Sequence, residues 1–423
     1  VYGWPLVHRA FMGAGLTLYD LLGAARDGGR AHHLGSDAVA ELIPNIKRDG
    51  LRGGVTYSDG VEDDARVSIA VALTAIEQGA TAVTRDRVTD LLTDDRGAIA
   101  GLKVKDLVGG DEIEARTARV IDATGVWLGD PDARLGGSTM KLVPSRGSHL
   151  VFERERLPLK SGMTLRVPGR VLFIIPHPGV WLVGTTDVAD EGAPDRPAPT
   201  LDEVDEILEN VNNVLDADLT RDDAVGAFAG LRPLVGAPGG DTARVSREHT
   251  IHREDSGLVR VSGGKYTTYR LMARDAVDYV LEGDDPMPQS KTAGIPLLGA
   301  APRERLDRLS AEIARDSGLD RERAAELVDR HGTRATDVVA LGREQDLLRP
   351  LADDRTELEA EVAWAVEREL ALSLDDVLSR RMRLSMSRRD RGESLAARVA
   401  EIMGHRLGWD AARQATEVAQ YLE

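Results

Sequence analysis

The sequence predicts an α+β fold with α/β elements, and three observations carry that prediction. Between about residues 64 and 285, short apolar segments alternate with tight turns and a few amphipathic helices. A Pro- and polar-rich stretch, GDDPMPQSKTAGIP, then breaks the pattern and marks a linker at 286–296. Everything beyond it, 297–423, reads as helix, a domain of about 125 residues.

Taken in order, residues 1–50 look mostly helical, with a Gly-rich break at DGGR. GAGLTL (Gly13 to Leu18) resembles the start of a Gly-x-Gly-x-x-Gly loop, but Leu18 occupies the third glycine position and no buried-strand pattern precedes it. DDARVSIAVALTAIEQGA has the period of an amphipathic helix, opened by Asp63 or Asp64 and closed by Gly79. GAIAGLKVKD and DEIEARTARVIDATG flank a GG turn, the signature of a hairpin or meander. VLFIIPHP and VWLVGTTD follow as strands, TLDEVDEILENVNNVLD as a charged helix, and GLVRVSG as a further strand. Past the linker come four helical segments: ERLDRLSAEIARDSG, RERAAELVDRHG, EAEVAWAVERELA and SLDDVLSRRMRLSM. In the third, Val362, Val366 and Leu370 are spaced to share one buried face.

Composition narrows the function classes. The chain has 423 residues, 42% hydrophobic and 30% charged, the profile of an ordinary globular protein. It contains no apolar run of about 18 residues, so no transmembrane helix is expected. A net charge of −17 without a basic stripe argues against nucleic acid as a partner. Cysteine is absent, which removes disulfides, thiolate nucleophiles and Cys-ligated metals, and a reducing cytoplasm is compatible with that. There is no His-Glu-x-x-His, no dense carboxylate cluster at ligand spacing and no Gly-x-Ser-x-Gly elbow.

Six segments carry chemistry. VSGGKYTTYR places Gly263, Gly264, Lys265, Tyr266, Thr267 and Thr268 straight after an apolar strand. The glycines let a backbone turn or a ligand approach, and a lysine among hydroxyls and free amides suits an anion or an electron-rich ring. A strand-to-helix turn with a solvated lysine is the plain alternative. ARVIDATGVW ends a strand in Ala123, Thr124 and Gly125, small enough for a dinucleotide to come close, or simply a turn. GATAVTRDRVTDL supplies a strand whose backbone at Val88 could edge an adenine. RGSHLVF sets His149 beside Ser148 before an apolar strand, and an imidazole is a natural proton acceptor at neutral pH. GLRPLVG and VSREHT put Arg232 and Arg247 on short segments after helices, each a planar fork matched to phosphate.

The series DDAR, DATGVW, RGSH, GTTD, LRPL, SREHT and SGGKYTTYR, followed by WAVERELALSLDDVLSRR, resembles the FAD-dependent, quinone-linked glycerol-3-phosphate dehydrogenases from about residue 50 to the end. The resemblance implies an FAD-dependent oxidoreductase domain over 1–285, with nucleotide-type parts at about 64–145 and 255–283 and a substrate part at about 146–254, and a C-terminal helical cap. Family members open with a strand and a Gly-x-Gly-x-x-Gly helix that hold the FAD pyrophosphate, then a GG-x-RY segment. The chain is expected to enter that fold roughly a hundred residues late.

By the same resemblance, Gly263, Gly264, Lys265, Tyr266, Thr267 and Thr268 wrap the flavin ring, with Val88, Ala123, Thr124 and Gly125 elsewhere along the cofactor. Lys265 sits near the pyrimidine end, where negative charge develops. His149 is the candidate base for the C2 hydroxyl of sn-glycerol 3-phosphate. Arg232 holds the alcohol oxygen, Arg247 grips the phosphate, and Lys265 and Thr267 line the substrate. Electrons go to a quinone, or to oxygen in oxidase relatives. A homodimer in peripheral contact with the inner face of the cell membrane is a further expectation. Two other readings stay open: an amine or hydroxy-acid oxidase of the glycine-oxidase type, and a non-catalytic remnant without the pyrophosphate-binding unit.

Overall fold

The computed structural model describes residues 13–15, 17–18, 31–128, 140, 142–167, 170–190, 192, 194–236 and 248–423. The chain runs β1 (His32–Leu34), α1 (Ser36–Leu42), β2 (Gly54–Thr56), α2 (Asp64–Glu77), β3 (Asp86–Thr93), β4 (Ile99–Asp106), β5 (Glu112–Arg116), β6 (Ile121–Asp122), β7 (Leu142–Glu153), β8 (Met163–Val167), β9 (Arg170–His177), β10 (Val180–Gly184) and β11 (Val188–Ala189). It continues through α3 (Leu201–Asn212), β12 (Ala224–Val235), β13 (His249–Arg253), β14 (Val259–Gly263) and α4 (Tyr269–Val280). The helical part holds α5 (Arg303–Ser317), α6 (Arg321–His331), α7 (Ala335–Glu344), α8 (Glu359–Arg368), α9 (Leu384–Ser387), α10 (Glu393–Leu407) and α11 (Ala411–Leu422).

The described strands form four sheets. A six-stranded antiparallel sheet has the path β11-β7-β10-β9-β8, with β12 on the other edge of β7. A three-stranded sheet, β13-β14-β6, contains the parallel pair β6/β14. The meander β3-β4-β5 and the pair β1-β2 complete the set. This is the expected mixed α+β architecture with a C-terminal helical domain.

Two cores do most of the packing. One face of the large sheet, through Leu150, Phe152, Leu172, Ile174, Trp181 and Val183, meets Ile207, Leu208 and Val211 of α3. The other face of β7 and β12 is covered in part by the helical domain: Val151, Val180 and Val225 pack with Met386 of α9. That is why Leu150, Val151 and Phe152 are all buried although strand neighbours point to opposite faces. The second core is the helical domain's own, built around Leu327, Val338, Leu358, Val362, Leu378, Leu384 and Val399.

Several local readings need correction. Residues 31–50 contain β1 as well as α1, so that segment is not simply helical. The DATGVW strand is short, Ile121–Asp122 only, with Val120 contributing a carbonyl to the Val259 amide. Arg232 lies inside the long strand β12, not on a short segment after a helix. Leu370 does not extend the face of Val362 and Val366. The helix α8 ends at Arg368, Leu370 takes a left-handed backbone (φ 57°), and the Ala371 amide turns back to the Ala365 carbonyl. SLDDVLSRRMRLSM is not one α-helix: a π-helical stretch Asp376–Arg381 is followed by left-handed Arg383 and then α9.

Candidate active site

The parallel strands β6 and β14 pair Asp122 with Arg260; β6 ends at Asp122, and β14 continues to Gly263 before it turns. Ligands in α/β sheets gather outside the C-terminal ends of such strands. Asp122 is 4% exposed and sets the first loop: its Oδ1 accepts from the Thr124 amide (3.1 Å) and hydroxyl (2.6 Å), its Oδ2 from Arg260 (2.7 Å). Gly125 follows with φ 63°, and the space where its Cβ would stand is open.

The second loop is tighter. Gly263 and Gly264 both have positive φ (76° and 81°), and a Cβ would strike the Glu248 carbonyl at 2.6 Å or the Met272 sulfur at 2.5 Å. Only glycine fits there. Lys265 then caps a 3-10 turn, Tyr266–Thr268, that runs into α4, and its carbonyl accepts from the Thr268 amide and hydroxyl. Lys265, Thr267 and Thr268 are exposed, while the Ser262 hydroxyl behind them is buried without a partner among the described residues.

The large sheet supplies the other wall. In the β7/β12 ladder His149 lies opposite Phe228 and Arg232 opposite Ser145, so His149, Gly147, Ser145, Phe228 and Arg232 share one face. The imidazole stacks on Phe228 (centroids 5.0 Å apart, planes 6° off parallel). Across the ladder Gly184 makes room for it, since a methyl there would overlap the ring. Arg232 crosses over Gly147, where a Cβ would meet its Nη2 at 2.5 Å, and donates to the Thr185 hydroxyl (3.2 Å) and the Thr186 carbonyl (3.4 Å). Burial pushes the imidazole pKa down, the Arg232 charge adds to it, and the result is about 4. His149 is therefore neutral at pH 7. Its Nδ1 is buried and has no hydrogen-bond partner among the described residues, which leaves Nε2 as the nitrogen available to a substrate.

Glu203 holds this wall in place. It is 4% exposed in the first turn of α3 and accepts from the Ser148 hydroxyl (2.9 Å), the Thr186 hydroxyl (2.7 Å), the Arg146 guanidinium (3.0 Å), and the Thr200 amide and hydroxyl (3.0 Å each). Burial would raise its pKa, but those donors outweigh it and hold the carboxyl at about 2. The Thr186 hydroxyl also receives the Ser148 amide (2.9 Å), so the neighbour of His149 and the loop beneath Arg232 hang on one carboxylate.

The structure thus brings His149 and Arg232 together on one sheet face. It brings Ala123, Thr124, Gly125 and the Gly263–Thr268 segment together at two strand ends. The two groups adjoin, because β12 packs against β14 and against the turn Gly125–Trp127. Val88 lies in a different sheet, mid-strand in β3 opposite Val104. Arg247 lies outside the described residues. Sequence reasoning missed Glu203, Thr186, Asp122 and Arg260. The signal for Glu203 was present in TLDE, a Thr-x-x-Glu capping box, but a cap motif does not announce what else its carboxylate will meet.

Among the described residues no group of acidic or histidine side chains is arranged to hold a metal ion, and no helix is long and apolar enough to cross a membrane.

Comparison with known proteins gives the following. Residues 8–279 match the family model described as FAD dependent oxidoreductase, and residues 290–414 match the C-terminal domain of alpha-glycerophosphate oxidase. The match begins well before residue 50, where the recognisable motifs start. Glycerol-3-phosphate dehydrogenase 2 of Mycobacterium tuberculosis is 38% identical over 418 residues, covering 98% of this chain and 71% of that protein. Glycerol-3-phosphate dehydrogenase of Mycobacterium leprae is 39% identical over 419 residues, again 98% and 71%. A glycerol-3-phosphate dehydrogenase from Bacillus halodurans, solved in complex with FAD, superposes with a TM-score of 0.79 at 25% identity, covering 92% of this chain and 78% of that one.

Proposed function

The chain belongs to the family of FAD-dependent glycerol-3-phosphate dehydrogenases, and we propose that it oxidises sn-glycerol 3-phosphate at carbon 2 to dihydroxyacetone phosphate. The observation that carries the reading is the shared sheet face of His149 and Arg232 beside two glycine turns at parallel strand ends.

The residues present fit the ring end of FAD. The Gly263–Gly264 turn tolerates no side chain, the space over Gly125 is open, and the 3-10 turn presents Lys265, Thr267 and Thr268 outward. Those residues, with Ala123, Thr124 and Gly125, would hold the cofactor, and Val88 is kept as a proposed contact further along it. FAD, when bound, supplies the acceptor for the hydrogen and electron pair that leave carbon 2. Lys265 places a fixed cation beside the ring's site.

The protein's own part is proton handling and orientation. Neutral His149 accepts the C2 hydroxyl proton at Nε2. Arg232 donates to the same oxygen and stabilises its developing negative charge. Phe228 keeps the imidazole plane fixed by stacking, and Gly184 leaves the ring the room a methyl would take. Arg247 is proposed to bind the substrate phosphate, and Thr267 and Lys265 to line the substrate. The electron acceptor is proposed to be a quinone, reached by peripheral contact with the membrane's inner face, a reading supported by family resemblance alone.

The test is an anaerobic absorbance spectrum of the FAD-loaded protein before and after glycerol 3-phosphate. Bleaching of the flavin band is expected. A band that stays oxidised with glycerol 3-phosphate and bleaches with an amine overturns the substrate assignment.

A further inference from the structure

The Gly263–Thr268 loop is tied to the helical domain through the first turns of α2. Tyr266 donates its hydroxyl to the Asp64 carbonyl (2.6 Å) and lies 3.0 Å from the Ser68 hydroxyl. Both partners belong to the first turns of α2. The helical domain grips those same turns. Arg66 forks onto Glu369, with Nη1 to Oε2 at 2.7 Å and Nη2 to Oε1 at 2.8 Å, and its Nε donates to the Arg330 carbonyl (3.1 Å). Glu369 is 3% exposed and takes a third hydrogen bond from the Trp364 indole (3.1 Å). Arg383, left-handed at the junction before α9, donates to Asp63, the N-cap of α2 (2.9 Å), and pairs with Asp64. A forked, desolvated Arg–carboxylate pair fixes orientation as well as distance.

We infer that Arg66, Glu369 and Arg383 are positioning residues for the cofactor loop: the helical domain clamps the first turn of α2, and α2 holds Tyr266 and with it Lys265. The inference rests on the reading of Gly263–Thr268 as the flavin-facing loop, but its mechanical half does not. The chain of contacts runs from Glu369 through Arg66, the α2 backbone and Tyr266, and each joint is a directed hydrogen bond. It gives the all-helical domain, which brings no side chain described above to His149 or Arg232, a defined part in the reaction.

The experiment is amide hydrogen exchange of the full chain, with and without FAD, for Glu369→Gln and Tyr266→Phe, alone and together, with FAD affinity measured by fluorescence quenching. Glu369→Gln keeps the shape and removes the charge. Tyr266→Phe is exposed and conservative, so it folds even if the buried variant does not. Loss of one such hydrogen bond should speed exchange in the peptide spanning 262–270 by roughly threefold to tenfold. β7 should be unaffected. The two substitutions should not add, because they cut the same chain. FAD affinity should weaken in parallel. Unchanged exchange at 262–270 in Glu369→Gln, with faster exchange in α2, or unchanged exchange there in Tyr266→Phe, overturns the proposal. If exchange responds as expected while the wild-type chain takes up no FAD, the clamp stands and the flavin reading of the loop falls.

Discussion

At the scale of single residues, His149 is the most exposed to test. Its imidazole ionises at about 4 because burial and the Arg232 charge both disfavour the cation. The free base therefore persists well below the ordinary histidine range. The His149 limb of the kcat/KM profile should accordingly stay flat from pH 7 down through 6 and fall only as pH approaches 4. A descending limb centred near 6.5 would mean that another group is the base. His149→Gln should cut kcat by roughly a hundredfold to ten-thousandfold, the range for removing a positioned general base. The fold should stay intact, as judged by circular dichroism. Gly184→Ala is a sharper probe, because the added methyl overlaps the ring and leaves its chemistry alone. It should lower kcat at least tenfold, as expected when a reacting group is displaced by about an ångström.

At the scale of elements, the buried Glu203 carboxylate ties α3 to the large sheet beside their shared apolar core. Glu203→Gln keeps the shape but loses charge-assisted hydrogen bonds, and should destabilise the protein by about 2–3 kcal/mol in urea melts at pH 7. The sign with pH follows from the carboxyl's depressed pKa. Glu203 ionises at about 2 when folded and near 4.5 ordinarily, so its contribution is complete above about 4.5 and is lost as pH falls toward 2. The difference between wild type and Glu203→Gln should shrink over that window. A constant gap would show that the carboxylate's charge is not what matters.

At the scale of the whole molecule, the helical domain leans on the sheet as well as on α2. Gly226 of β12 passes so close to α9 that a Cβ would stand 2.7 Å from the Met386 carbonyl. Backbone cannot step aside as a long side chain can. Gly226→Ala should cost about 1–3 kcal/mol by overpacking, visible as a lowered calorimetric Tm. If the melting temperature is unchanged, the two parts do not seat on each other as described.

Much of this was legible in the sequence. The α+β pattern, the α2 helix with its Asp63 cap, the β4/β5 hairpin and the all-helical C-terminal part rest on local periodicity and turn chemistry, and local rules sufficed for them. The motif order was specific enough to indicate the family and to single out His149, Arg232 and the Gly263–Thr268 loop. What the sequence could not decide was pairing. That His149 and Arg232 share a face depends on the β7/β12 register, a contact between segments some 80 residues apart by rough count. That His149 is neutral depends on what buries it. That Glu203 serves the site, and that Leu370 leaves its helix, depend on neighbours no window contains. Local propensity and spacing are written along the chain. Register, burial and the partners of buried charge are set only when distant segments meet, and the chemistry of this site is of the second kind.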